Sequence, residues 1–350
     1  MSTAITISAI TTRAPGKLFL LGEYAVLFGA PAVVMAVDRY VSVTIEPASD
    51  CYRAEFLGNA LPPIQGQWQN EMLAWEDSEP GHSLLTTLCD VLADAQVLSQ
   101  NTLPFRILID SAELCHNGEK LGLGSSAAVT NAVVRAVLAY VGNETSGADI
   151  ETLVFAAHSQ FQQGLGSGAD VAASLTGGLI IYQRATMRKP VSIRKLPAAS
   201  GWYMSSVWVG KPASTTSALR MMDKFITADE RGFQKVLVPL KDGARLGAAA
   251  LLKGDSAGFL SACDQYCHDL SEFGRIVGLD VVSDAHAECG EIARRRGVVY
   301  KPSGAGNGDY GIGLSSDISS LQSFEDDLTA AGYRIESFRP AMPCHMIHRC

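Results

Sequence analysis

Three glycine-rich segments set the strongest constraint on how this chain can fold. They occupy residues 118–124, 164–168 and 303–308. Glycine tolerates positive φ and lets the backbone approach another group closely. The first two segments run directly into apolar stretches with helical spacing, whereas strand-like stretches flank the third. The pattern indicates a mixed α+β chain with tight loops where strands and helices meet.

Apolar periodicity places strands and helices on both sides of one candidate boundary. Residues 184–201 are basic and interrupted by proline, which is typical of a linker, so we predict two domains, 1–190 and 191–350. In the first half we predict strands 40–47, 51–57 (paired with 40–47), 105–110 and 179–183, helices 83–98, 125–141 and 149–162, and a loop over 58–81. In the second half we predict strands 202–209, 298–301, 310–314 and 333–337, helices up to 275, 280–296 and 318–331, and either a terminal strand or a fraying tail in CHMIHRC.

The composition excludes several classes of protein. Apolar residues make up 47% and charged residues 18% of the 350, which rules out a disordered chain. A net charge of −8 argues against a protein that coats nucleic acid. The most apolar stretch, 18–37, contains Glu23, and the N-terminus lacks the pattern of a secretory signal, so we predict a soluble protein. Eight scattered cysteines without a CxxC pair indicate reduced thiols in the cytoplasm.

The segment Gly122–Ala128, GLGSSAA, has the features of a phosphate-binding loop. The helix that follows it directs free N–H groups and the positive end of its dipole at an anion. Ser125 and Ser126 add hydroxyls for phosphate oxygens or a magnesium ion. The segment also matches the dinucleotide fingerprint, but the preceding predicted strand ends too early and Glu144, the candidate ribose ligand, lies in a turn. A Walker A loop is absent. The alternative is a small-residue turn that caps a buried helix.

Other candidates for chemistry each have a structural alternative. Lys17 and Glu23 stand among apolar residues, and a buried charge is costly unless it is paired or used. Lys17 follows Pro-Gly, which predicts a position at the mouth of a strand, within reach of a phosphate; the alternative is a surface lysine. Asp170 stands at a helix start, where aspartate is common, and His158 on the preceding helix is typical of a packed or half-exposed histidine. The segment 304–311 could be a simple hairpin connection.

Taken in order, four segments resemble the motifs of the GHMP kinase superfamily. They read PGKLFLLGEYAVL, GLGSSAA, SGADVAAS and KPSGAGNGDYGIGL, within a resemblance that runs from Arg13 to Leu314. The superfamily includes galactokinase and the homoserine, mevalonate and phosphomevalonate kinases. The resemblance implies an α+β fold of two halves, ribosomal protein S5-like at the N-terminus and ferredoxin-like at the C-terminus. It also implies ATP-dependent phosphoryl transfer in the cleft between them.

Within the superfamily, the chain resembles the phosphomevalonate kinases of bacteria and fungi. Tyr24 in GEYAVL, Gly308-Asp309 in the last loop and the segment 163–173 match that family's pattern. Mevalonate kinases usually carry histidine in place of this tyrosine. They also supply a magnesium-binding glutamate eleven residues before their catalytic aspartate, where this chain has Ser159. The departures from the phosphomevalonate kinase pattern are Ala169, Asn307 and Tyr310.

The resemblance implies phosphorylation of 5-phosphomevalonate to 5-diphosphomevalonate, in the mevalonate route to isoprenoids, with ATP and Mg²⁺ and with no nucleic-acid or membrane partner. Mevalonate kinase or a sugar kinase is the alternative enzyme, and a non-catalytic binding protein of the same fold is the alternative from another class. In the implied catalytic set, Lys17 bridges the phosphates, Asp170 orients or deprotonates the acceptor, and Ser126 ligates Mg²⁺. The implied nucleotide-binding residues are Lys120, Gly122, Leu123, Gly124, Ser125, Ser126 and Ala127.

The acceptor side of the site follows from the same resemblance and from charge. The implied acceptor-binding residues are Lys17, Tyr24, Ser167, Gly168, Asp170, Ser303, Gly304, Ala305 and Gly306. Two anions that meet inside an acidic protein require another basic group beside Lys17, so Lys211 with the hydroxyl of Ser214 is a further candidate. The alternative for Lys211 is a solvated loop lysine.

Overall fold

The computed structural model describes residues 9–348 apart from 60, 77–81, 117, 144, 187–189, 198–200 and 211–214. The strands are β1 (Ile10–Leu21), β2 (Pro31–Pro47), β3 (Tyr52–Leu57), β4 (Ile64–Gln69), β5 (Met72–Trp75), β6 (Phe105–Asp110), β7 (Cys115–His116), β8 (Glu119–Lys120), β9 (Leu179–Gln183), β10 (Ser192–Lys195), β11 (Tyr203–Trp208), β12 (Val299–Pro302), β13 (Tyr310–Ser315), β14 (Arg334–Glu336) and β15 (His345–His348). The α-helices are α1 (Ser83–Asp94), α2 (Ser125–Tyr140), α3 (Gly147–Phe161), α4 (Ala169–Thr176), α5 (Thr215–Ala228), α6 (Glu230–Lys253), α7 (Ser256–Val277), α8 (Asp284–Arg295) and α9 (Ile318–Ala330).

The larger sheet is built around the long strand β2. Its strand order is β10-β9-β2-β6-β3-β4-β5, and β1 pairs with both β2 and β15. Because β2 is apolar over most of its 17 residues, it is buried along much of its length and pairs with different strands at its two ends. Of the two alternatives for CHMIHRC, the strand is confirmed: β15 pairs with β1.

The smaller sheet has the order β12-β13-β11-β14, with every neighbouring pair antiparallel. Across this sheet, the strands are the second, third, first and fourth of the four in chain order, which is the ferredoxin-like arrangement. Helices α5 to α8 connect its first and second strands, and α9 connects its third and fourth. The α+β class and the ferredoxin-like second half are therefore confirmed. The division at 190–191 stays a prediction, since β10 and β15 pair within the larger sheet.

Two helices set the geometry of the site. Four alanines of α2 are buried (Ala127, Ala128, Ala132 and Ala136), and their small side chains let the helix pack against β1 and β2. The long helix α6 lies against Leu21, the last residue of β1. This close approach requires glycine at position 247, since a Cβ there would be 2.3 Å from the Leu21 side chain. Among the described helices, none is long and apolar enough to cross a membrane.

Three sequence-based predictions about the first half are wrong. Residues 58–81 contain β4 and β5, which a tight turn at Asn70 and Glu71, both with positive φ, joins into a hairpin. The polar residues at alternating positions of β4 face outward, so the strand contains no run of apolar residues that would mark it in the sequence. The strand at 52–57 does not pair with β2, because β6 lies between them. Lys17 lies inside β1, not at its mouth.

Candidate active site

A cavity of about 230 Å³ brings the four motifs together. It is enclosed by β1 and the turn after it, the loop and first turn of α2, the first turn of α4, and the loop between β12 and β13. Its lining residues are Lys17, Phe19, Glu23, Tyr24, Val26, Leu27, Lys120, Gly122, Gly124, Ser125, Ser126, Gln162, Gly166, Ser167, Asp170, Ala218, Leu219, Gly304, Ala305 and Asp309.

The loop that leads into α2 forms an anion-binding corner of this cavity. Gly122 and Gly124 both have positive φ, and α2 starts at Ser125. The first N–H groups of a helix have no partner inside it and lie at the positive end of its dipole. Two hydrogen bonds from Lys17 hold the loop against β1. The Lys17 amide donates to the carbonyl of Leu123 at 2.8 Å, and the Lys17 ammonium donates to the carbonyl of Gly122 at 2.9 Å.

We expect Gly124→Ala to disable the site by displacing Lys17. A Cβ at position 124 would lie 2.9 Å from Lys17 Cγ and 3.0 Å from Cε, at a φ of +76° that disfavours other residues. Gly142, at the opposite end of α2, also has positive φ and no atom within 4 Å of such a Cβ, so Gly142→Ala is the matched control. Calorimetric titration with ATP should show a large loss of affinity for Gly124→Ala only. Equal losses in both variants would mean that the contact with Lys17 is irrelevant.

Lys17 lies among carboxylates in the cavity wall. Burial lowers the pKa of its ammonium, and the negative charges of Asp170, Asp309 and Glu23 oppose that shift. The ammonium also lies 5.5 Å from the centre of the Phe19 ring. This lysine is therefore a buried cation among the acidic side chains of the pocket, and phosphate oxygens that enter the pocket would meet it directly.

The first turns of α2 and α4 place a hydroxyl and a carboxylate on either side of one histidine. Ser126 Oγ lies 3.1 Å from His158 Nε2, and Asp170 Oδ2 lies 3.8 Å from the same nitrogen. The other carboxylate oxygen of Asp170 accepts the N–H of Val171 at 2.9 Å. His158 is buried, as the apolar pattern of its helix predicts. Its contacts with two site residues were not evident from that pattern.

Side-chain hydrogen bonds join the loop between β12 and β13 to β1 and to the turn that follows β1. The Tyr24 hydroxyl donates to the carbonyl of Ala305 at 2.5 Å. The Ser303 hydroxyl accepts the N–H of Phe19 and donates to its carbonyl. Burial and the Glu23 carboxylate raise the pKa of Tyr24 well above its ordinary value, so its phenol stays a donor. The loop connects the antiparallel strands β12 and β13, as the hairpin interpretation expected, and it is also part of the cavity wall.

A buried ion pair lies behind this loop. Lys301 Nζ donates to Glu23 Oε1 at 2.5 Å and to the carbonyl of Pro302, and both charged side chains are at most 1% exposed. The amide of Gly304 points at the same carboxylate oxygen at 3.4 Å. Oε2 of Glu23 is buried without a protein partner. The sequence predicts that a charge at Glu23 needs a partner, and the structure provides Lys301, which lies 278 residues further along the chain.

His286 supports the loop from the side of α8. Its Nε2 faces the carbonyl of Gly308 at 3.1 Å and its Nδ1 faces the hydroxyl of Tyr300 at 2.8 Å. A carbonyl can only accept, so the proton is on Nε2, and Nδ1 accepts from the tyrosine. Burial lowers the pKa of His286 to about 4, with a smaller contribution in the same direction from the charge of Lys301. The ring is therefore neutral at pH 7.

This shift predicts a loss of stability in acid. As pH falls from 6.5 towards 4, an unfolded chain protonates this histidine and the folded chain does not, which lowers the free energy of unfolding by up to about 3 kcal/mol. Urea unfolding between pH 7 and 4.5 should therefore show a shallower pH dependence for His286→Gln than for the wild type. His116 is exposed, and His116→Gln should leave the slope unchanged. An unchanged slope in His286→Gln would contradict the assignment.

Comparison with known proteins identifies the family. Residues 90–178 match the model of the GHMP kinase N-terminal domain. The chain is 33% identical over 335 residues to a phosphomevalonate kinase of Streptomyces sp. (strain CL190), covering 87% of this chain and 89% of that protein. The chain belongs to the phosphomevalonate kinase family of GHMP kinases. A phosphomevalonate kinase of Saccharolobus solfataricus is 27% identical over 320 residues, covering 89% of this chain and 92% of that protein.

The fold of this GHMP kinase is shared with a solved member of the family. The structure of Streptococcus pneumoniae phosphomevalonate kinase in complex with phosphomevalonate and AMPPNP superposes with a TM-score of 0.78, at 22% sequence identity, over 96% of this chain and all of that one. The expected GHMP kinase fold is thereby confirmed for both halves of the chain.

Most of the predicted site residues of the kinase line the cavity. They are Lys17, Tyr24, Lys120, Gly122, Gly124, Ser125, Ser126, Ser167, Asp170, Gly304 and Ala305. The side chains of Leu123, Ala127 and Ser303 are buried, Gly168 is the N-cap of α4, and Gly306 packs against Val281. Lys211 and Ser214 lie outside the described residues. The binding roles of all these residues stay predictions.

Some residues of the site had no place in the sequence-based assignment. Asp309 lines the cavity from the last loop, and a Cβ on Gly122 would collide with its side chain. An apolar wall completes the cavity and consists of Phe19, Val26, Leu27, Ala218 and Leu219. The negative charge beside Gly308 is a signal that could have drawn attention to Asp309. This apolar wall is assembled from two segments that lie about 190–200 residues apart in the chain, so no local sequence pattern predicts it.

Proposed function

We propose that the protein transfers the terminal phosphoryl group of ATP to the phosphate of 5-phosphomevalonate, giving ADP and 5-diphosphomevalonate in the mevalonate route to isoprenoids. The observation that carries the proposal is the position of Lys17, which bonds to the anion-binding loop and is within electrostatic reach of Asp170. The family membership supports the choice of acceptor. So do the two ligands bound by the pneumococcal relative.

On the donor side, the first turn of α2 would hold the phosphates of ATP. Ser125 and Ser126, the first two residues of the helix, line the cavity, and the first N–H groups of a helix favour anions. Lys120 stands at the exposed edge. The hydroxyl of Ser126 and the carboxylate of Asp170, which both face Nε2 of His158, are the kind of hard oxygen ligands that Mg²⁺ takes, so these residues fit the ion. When bound, Mg²⁺ would neutralise charge on the phosphates and help to align them. Ser126 is the residue that we assign to hold it.

On the acceptor side, screening of charge matters more than removal of a proton. A phosphate monoester has a second pKa of about 6 and is already ionised at pH 7. Two anions must therefore approach each other, and Lys17 supplies the cation between them. Asp170 would orient the acceptor, which leaves it a smaller role than in an alcohol kinase, where the hydroxyl proton must leave. The apolar wall fits the methylated carbon chain of a mevalonyl group.

We place the enzyme in the cytoplasm. The seven cysteines that the structure describes are all free thiols, and a reducing compartment keeps thiols in this state.

The test is ADP release by the purified protein with mevalonate, 5-phosphomevalonate, homoserine or galactose, against a blank without acceptor. We expect 5-phosphomevalonate to give the highest kcat/KM by a wide margin, because the cavity offers a cation to a second phosphate. Preference for mevalonate or a sugar would reject the assigned acceptor. Release at the blank rate with every compound would favour a non-catalytic binding protein.

A further inference from the structure

One buried imidazole joins the two halves of the proposed reaction centre. His158 is in the last turn of α3 and is 1% exposed. Its Nε2 lies 3.1 Å from Ser126 Oγ, in the first turn of α2, and 3.8 Å from Asp170 Oδ2, in the first turn of α4. Three helices therefore meet at a single ring nitrogen, immediately behind the cavity.

The surroundings decide which way this nitrogen acts. A carboxylate oxygen at 3.8 Å favours a hydrogen on Nε2, since an unprotonated nitrogen would turn a lone pair towards a negative charge. The N–H then donates to Ser126 Oγ and is attracted to Asp170. With one lone pair of the serine oxygen occupied by the ring, the other lone pair and the hydroxyl hydrogen are left for ligands in the cavity.

Each of the two site residues makes one further hydrogen bond, Asp170 through its side chain and Ser126 through its backbone carbonyl. Val171 N–H holds Oδ1 of Asp170, and the carbonyl of Ser126 accepts the Thr130 hydroxyl at 2.8 Å inside α2. These two hydrogen bonds do not fix the direction of the Ser126 hydroxyl or of Asp170 Oδ2. Both of these groups face Nε2 of His158. The ring therefore fixes the separation of the groups on the donor and acceptor sides.

We infer that His158 is a positioning residue for phosphoryl transfer, acting through the hydroxyl of Ser126 and the carboxylate of Asp170. The inference rests on the proposed function for the roles of those two residues. It differs from a packing role in one respect: packing needs only the volume of the ring, whereas positioning needs a donor at Nε2.

Two substitutions separate these roles. The side-chain amide nitrogen of glutamine can take the place of Nε2, whereas that of asparagine is too short to do so. We expect His158→Asn to lower kcat about tenfold to a hundredfold, the range found when a partner behind a metal ligand is lost. His158→Gln should stay within a few-fold of the wild type. Glu151→Gln, at an exposed position of the same helix that does not line the cavity, is the control and should change nothing.

A second readout is the magnesium dependence of ATP binding, measured by calorimetry with Mg²⁺ and with EDTA. His158→Asn should lose most of the gain in affinity that Mg²⁺ gives the wild type, and His158→Gln should keep it. Urea unfolding establishes that each variant is folded. Equal behaviour of the two variants in kcat and in magnesium dependence would overturn the inference.

If His158→Asn does not fold, His158→Gln alone decides. Near-wild-type kcat and magnesium dependence support positioning, and losses as large as those of Ser126→Ala reject it. A wild type that binds Mg²⁺ and ATP without converting 5-phosphomevalonate would instead contradict the proposed function, and the binding experiment would still test His158.

Discussion

Lys17→Met is expected to lower kcat about 10²–10³-fold, the usual cost of removing a group that stabilises charge in the transition state. The ammonium donates to the anion-binding loop and lies near the carboxylates of Asp170 and Asp309, whereas the other lining lysine, Lys120, stands at the exposed edge of the cavity. Without it, two phosphate groups would approach each other near the carboxylates of Asp170 and Asp309. Steady-state kinetics at saturating ATP give the measurement. Lys195→Met, on the exposed edge strand β10, is the control and should keep the wild-type kcat.

Asp170→Asn should be milder than Lys17→Met, because an ionised phosphate acceptor has no difficult proton to lose. If the acceptor were a hydroxyl, general-base help worth roughly 10²–10⁴-fold would be lost with Asp170, and Asp170→Asn would be at least as damaging as Lys17→Met. Full activity in Lys17→Met would overturn the proposed site. A kcat for Asp170→Asn far below that of Lys17→Met would reject a phosphate acceptor. Thermal unfolding of both variants excludes a folding defect.

The second large effect is expected at the buried ion pair of Glu23 and Lys301. Lys301→Met leaves the Glu23 carboxylate in the interior without its cation, and removal of one partner of a buried pair typically costs about 3–5 kcal/mol. Urea unfolding should show this loss. The double variant Glu23→Gln with Lys301→Met should recover much of it, because no unpaired charge is then buried.

An exposed ion pair of similar geometry provides the control for this experiment. Arg275 and Glu272 are 2.6 Å apart on the surface of α7, and exposed pairs contribute about 0–1 kcal/mol. Arg275→Met should therefore have little effect on the free energy of unfolding. If Lys301→Met were equally mild, or the double variant no better than the single one, burial would not be what makes the pair matter.

Elements with strong local signals could be predicted from the sequence. Helices α1 and α2 begin at the predicted residues, and β9 has the predicted bounds, because apolar periodicity and adjacent glycines mark them. The hairpin of β4 and β5 was missed, since only one face of it is apolar. Strand partners were also out of reach: β6 inserts between β2 and β3 although it follows both in the chain.

The candidate site was predictable where a motif is contiguous and not where it is assembled from distant segments. Lys17, Ser126 and Asp170 each lie in a recognisable segment and line one cavity. The partner of Glu23 and the contacts of His158 depend on how remote helices and strands meet. Gly124 illustrates the difference. Its sequence context explains the glycine by approach to a phosphate, whereas the fold adds a second reason, the Lys17 side chain that already occupies the space of a Cβ.

The central claim is that the acceptor atom is a phosphate oxygen, and the chemical identity of the product tests it most directly. The protein should be incubated with ATP, Mg²⁺ and 5-phosphomevalonate, and the product followed by ³¹P NMR. We predict that the monoester resonance of the substrate is replaced by two mutually coupled resonances of a diphosphate, in step with ADP formation. An unchanged monoester resonance while ADP accumulates, or a second monoester resonance without coupling to the first, would contradict the claim.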